Sequence, residues 1–125
     1  MPWYAGAAGV LGLLAVGLGA FGAHALKLQA PAAEWFETAS RYHFYHTLAL
    51  LALAVASRQG WEPDSAWWQL SAWAWFVGIL LFSGSLYAMA LGAPRWFGAI
   101  TPIGGLGLML GWLGVIILWF RSGSV

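Results

Sequence analysis

The sequence predicts an all-α integral membrane protein. Its single domain, residues 1–125, is expected to be an antiparallel bundle of four transmembrane helices, with a short amphipathic interfacial helix before helix 2. Three observations carry that expectation. Hydrophobic residues make up 62% of the 125 and charged residues only 7%, against about 45–50% and about 25% in soluble domains. Apolar runs recur at about 4–26, 42–57, 66–91 and 98–120, close to the roughly 20 helical residues that cross a hydrocarbon core. Trp3, Trp35, Trp61, Trp67, Trp68, Trp96 and Trp119 fall near the ends of those runs, where amphipathic rings anchor at headgroup level.

The same arithmetic excludes other classes. Five Lys or Arg and four Asp or Glu cannot solvate a soluble enzyme of this size. The net charge of +1 provides no basic patch for nucleic acid, and the hydrophobicity is far too high for a disordered tail. Absence of cysteine removes disulfides, thiolate metal sites, iron–sulfur clusters and a cysteine nucleophile.

The first run ends in Ala23-His24-Ala25, which mimics a signal-peptide cleavage site. No Lys or Arg precedes it and the stretch is too long, so a retained span is expected. The second run, Tyr42 to Ser57, is short, and an amphipathic segment leads into it with Pro31 in its first turn. There Ala32, Trp35, Phe36, Ala39 and Tyr42 recur at helical spacing, while Glu34, Glu37, Ser40 and Arg41 take the other face. Glu37 and Arg41 stand in the favourable i, i+4 order for a solvated ion pair. A reversal is expected at Gly60 and Glu62-Pro63-Asp64, and a tighter break at Gly92-Ala93-Pro94-Arg95.

Small residues recur at four-residue spacing: Ala5/Gly9, Ala8/Gly12, Ala15/Gly19/Ala23, Gly84/Ala88/Gly92 and Gly107/Gly111. Such stripes let helices approach closely in lipid. They fit packing within one chain, a homo-oligomer, or a membrane-protein partner. Beyond the lipid bilayer itself, the sequence names no partner. Lys27, Arg41 and Arg95 fall on one membrane side, and Arg58 and Arg121 on the other with the N-terminus. This near balance leans toward both termini outside the cytoplasm.

With four antiparallel spans, one side gathers the polar residues: His24, His43, His46, Ser83, Ser85, Tyr87 and Thr101. Intramembrane ionisable groups usually face the bundle interior and often mark functional sites. These seven therefore form the expected ligand-binding pocket. His24, His43 and His46 are also candidates for a metal or haem, because imidazole suits zinc, copper and iron, with Glu34 or Glu37 as further ligands. The alternative is structural histidines bonded to loops and hydroxyls. No catalytic residue emerges, because no span contains Asp or Glu and no nucleophile frame or phosphate loop is present.

The runs GAFGAHAL (19–26), TASRYHFYHTLALL (38–51), FSGSLYAMAL (82–91) and ITPIGGLGLMLGW (100–112) occur in order. Together they resemble the small membrane-protein family of unknown function numbered 423, with its YgdD-like and transmembrane-protein-256-like members. The resemblance implies a four-helix protein of the bacterial inner membrane or an organelle, with no established activity. Its motif positions are Gly22, His24, His43, His46, Ser83, Gly84, Ser85, Tyr87, Thr101, Pro102, Gly104 and Gly105, and it adds no catalytic residue. The first functional expectation is a non-enzymatic accessory or ligand-binding bundle. A metal- or haem-binding redox or assembly factor is the alternative, and a small channel or transporter is the third.

Overall fold

A computed structural model describes residues 2–59 and 66–122. The expected turn at Gly60 and Glu62-Pro63-Asp64, and the expected anchor Trp61, lie outside the described residues. Among those described, regular structure is entirely helical: α1 (Trp3–His24), α2 (Ala32–Arg58), α3 (Ala66–Ala90) and α4 (Ile100–Ser122), with a 3-10 turn at Arg95–Ala99 leading into α4. Helices are what this chain must form, since in lipid every backbone N–H and C=O needs a partner within the segment.

The expected interfacial helix is not a separate element. Residues 32–41 are the opening turns of α2, which runs unbroken for 27 residues because no glycine or proline interrupts Ala32 to Arg58. α3 stops where expected. Gly92 takes φ +110°, and the Ala93 and Gly92 N–H groups return to the carbonyls of Ala88 and Met89, a Schellman ending that favours glycine.

Three segments are long and apolar enough to cross a membrane: Trp3–His24, Ala66–Ala90 and Arg95–Arg121. α2 matches them in length. Its polarity is raised by Glu34, Glu37 and Arg41 and, further in, by His43 and His46.

The helices pack in chain order, α1 on α2, α2 on α3 and α3 on α4, with α1 also touching α3. α1 and α4 make no extended contact. The closest pairing is α3 with α4, and glycine permits it. A Cβ on Gly104 would collide with the Phe82 backbone, one on Gly111 with the Trp75 indole, and one on Gly114 with the Ser71 hydroxyl. On α1, Gly12 and Gly19 face Thr47 and Ser40 of α2. Gly9 and Gly84, from two other expected stripes, meet no neighbouring atom.

Two apolar clusters fill the interior. Tyr4, Leu11, Leu50, Leu53, Trp68, Trp75 and Ile79 belong to one, and Phe36, Ala39, Leu86, Tyr87 and Met89 to the other. Buried His43, His46, Thr47 and Ser83 separate them along α2 and α3. Trp68, expected at the lipid interface, is instead 4% exposed. Its indole N–H donates to the Tyr4 hydroxyl at 2.5 Å, a partner that lets a polar-tipped ring stay inside.

Candidate functional site

The buried polar layer is built from residues whose spacing turns them inward. His43, His46, Thr47 and Leu50 follow the i, i+3, i+4, i+7 rhythm of one α2 face, and all four are buried. Each polar group there has a partner.

The partners assign the tautomers. The Leu11 carbonyl, 2.9 Å from His43 Nε2, can only accept, so Nε2 carries the hydrogen and Nδ1 accepts from the Tyr87 hydroxyl at 3.0 Å. His46 has the opposite tautomer. Its Nδ1–H donates to the Tyr42 carbonyl at 2.8 Å, and its Nε2 accepts the Trp112 indole N–H at 3.0 Å. Tyr42, Trp75 and Trp112 surround the His46 ring, with centroids 6.1, 6.4 and 5.8 Å away.

The hydroxyls serve the same end. Ser83 donates to the Ala39 carbonyl at 2.8 Å, joining α3 to α2. Ser85 donates to the Phe82 carbonyl at 3.0 Å, so the hydroxyl contact with Thr101 at 2.5 Å is donated by Thr101 and joins α4 to α3. Thr47 bonds the His43 carbonyl one turn back on its own helix. No buried side-chain nitrogen or oxygen is left without a partner among the described residues.

Six of the seven expected pocket residues thus act in interhelix bonds, as pairs rather than around one shared cavity. His24 stands apart, exposed at the end of α1. No group of three or more His, Asp or Glu able to hold a metal ion occurs among the described residues. The expected three-histidine ligand set therefore does not fit a metal: His24 is remote from the layer, and both nitrogens of His43 and His46 are engaged. Sequence reading missed Trp112, Trp75 and Ser71. Their signal lies in register, since Trp75 and Ser71 are one turn apart facing Gly111 and Gly114.

A cleft of about 400 Å³ opens beside this layer, between the end of α1 and the start of α2. Gly19, Gly22 and Ala23 form one wall, Leu26 and Leu28 of the connection flank it, and α2 contributes Ala33, Phe36, Glu37 and Ser40. Glu37 pairs with Arg41 in the expected solvated ion pair. A smaller cavity of about 310 Å³ lies where α3 meets the Arg95–Ala99 turn, and Ser85 borders it.

The family model described as a protein of unknown function (DUF423) matches residues 18–105. The chain belongs to that family. The DUF423 match takes in all seven expected pocket positions, His24 among them, while Trp112 lies beyond it. A UPF0382 membrane protein of Haemophilus influenzae is 42% identical over 116 residues, covering 91% of this chain and 90% of that protein. The UPF0382 membrane protein SSP2132 of Staphylococcus saprophyticus is 46% identical, covering 87% of this chain and 89% of its own. The UPF0382 inner membrane protein YgdD of Escherichia coli K12 is 42% identical, covering 84% and 79%. No solved structure matches. These relatives are named membrane proteins, and this DUF423 chain is a membrane protein with three segments able to cross the bilayer.

Proposed function

We propose that the chain is a non-enzymatic accessory or ligand-binding protein of the bacterial inner membrane, crossing the bilayer four times. Its intramembrane polar residues hold the helices in place, and binding occurs at the surfaces they leave open. The observation that carries the four-span reading is the Tyr4–Trp68 hydrogen bond. It puts the N-terminal ends of α1 and α3 on one side, so a chain whose α1 and α3 both cross must return between them. α2 is the helix available.

The composition of α2 agrees. Tyr42 to Ser57 carries no charge, and Phe44, Tyr45, Leu48, Leu51 and Val55 form its exposed face. From Arg41 to Arg58 the helix rises about 26 Å, and both side chains are long enough to snorkel to the interfaces. The binding rather than catalytic role is supported by full use of the polar layer in packing. A metal or haem factor is the weaker reading, because the engaged imidazoles would have to break their bonds to bind it.

Elemental analysis and an absorbance spectrum test the reading on detergent-purified wild type beside a His24/His43/His46 triple-alanine variant. Expected are no stoichiometric metal and no Soret band in either sample, with lower thermal stability in the variant. Metal or haem present in the wild type and lost in the variant would overturn it.

A further inference from the structure

We infer that the cleft between the end of α1 and the start of α2 binds a phospholipid with a primary-ammonium headgroup, its ammonium on Glu37 and its acyl chain along the glycine wall of α1. The inference rests on the four-span reading, which sets this cleft at the boundary between headgroups and hydrocarbon.

The α1 wall of the cleft is low, because two of its lining residues, Gly19 and Gly22, carry no side chain. Gly19 and Gly22 expose bare backbone, and the Phe36 ring lies so close to Gly22 that a Cβ there would run into it. The volume of about 400 Å³ falls in the range of small-molecule sites, which are mostly apolar with a few placed polar groups. This one has such a composition, with Glu37 and Ser40 as its polar lining. Glu37 marks its headgroup end, since Ser40, one turn further into α2, faces Gly19, which lies about 7 Å back along α1 from His24, toward the hydrocarbon.

Charge selects the headgroup. Glu37 is the charged residue that lines the cleft, and a carboxylate only accepts hydrogen bonds. Arg41 sits one turn further along α2 and is paired with it, so an acceptor and a fork of donors stand side by side. An ammonium with three N–H groups, two carbons from a phosphate, matches that order. A quaternary ammonium has no N–H to give Glu37, and an uncharged glycerol headgroup lacks the cation.

The test is native mass spectrometry of the full chain in mild detergent with phosphatidylethanolamine, phosphatidylcholine or phosphatidylglycerol of matched acyl chains. Wild type is expected to retain phosphatidylethanolamine about tenfold over the other two, the worth of one charge-assisted hydrogen bond. Glu37→Gln, at an exposed position that folding does not depend on, is expected to erase that preference. Ala23→Leu, which fills the cleft from an exposed site, is expected to lower retention of all three. Equal retention by wild type, a preference for phosphatidylglycerol, or a preference that survives Glu37→Gln would overturn the inference. If single cysteines introduced by Lys27→Cys and Gln59→Cys react with a membrane-impermeant maleimide from opposite sides of the membrane while the preference is absent, the lipid site fails and the four-span reading stands.

Discussion

Trp112 donates its indole N–H to Nε2 of His46 at 3.0 Å, tying α4 directly to α2. These helices otherwise have little contact, since α4 packs chiefly on α3. An indole can only donate, so the bond also fixes which ring nitrogen of His46 lacks a proton. A doubly protonated ring would set two N–H groups against each other.

Trp112→Phe is therefore expected to keep the ring packing and lose the bond. Interhelix hydrogen bonds in membranes are worth about 0.6 kcal/mol on average and up to about 1.7, so a Tm lower by a few degrees in detergent is the expected reading. A double-mutant cycle with His46→Leu checks it. The double variant should lose less than the two single losses added together, because one bond cannot be broken twice. Strict additivity would mean that the bond contributes nothing.

The histidines divide by position. His24→Ala removes an exposed ring and is expected to leave thermal stability unchanged. His43→Ala strips partners from the Tyr87 hydroxyl and the Leu11 carbonyl and leaves a void, and is expected to cost about 2 kcal/mol or more. Thermal denaturation of the two variants side by side makes the comparison.

The glycines divide in the same way. Gly104→Ala drives a methyl into the Phe82 backbone, which cannot rotate aside, so a loss at or beyond the upper end of about 1–3 kcal/mol is expected. Gly9→Ala and Gly84→Ala meet open space and should be neutral or gain about 0.5–1 kcal/mol from reduced chain entropy. Folded yield and Tm in a common detergent distinguish the two classes.

Much of the fold was legible because lipid permits so few solutions. The apolar runs located α1, α3 and α4 to within a few residues, whereas α2 begins well before its run, at Ala32; the Glu37–Arg41 pair follows from spacing alone. Register between helices was not legible. The small-residue stripes at Ala5/Gly9 and Gly84/Ala88 have the same pattern as Gly107/Gly111, yet only the last faces a neighbour that requires it. The polar set was found by topology, but whether His43 meets Tyr87 or His24 depends on helix rotation, which one sequence does not encode. Trp68 reads as an interfacial anchor and Trp112 carries no signal of its own, because their partners Tyr4 and His46 are more than 60 positions away in the chain.

The central claim is that α2 crosses the membrane between α1 and α3, and the absence of cysteine makes it directly testable. Single cysteines at Lys27 and Gln59, before and after α2, would be labelled in intact cells or sealed vesicles with a membrane-impermeant maleimide. The four-span account predicts that the two positions react from opposite sides. Labelling of both from the same side would contradict it.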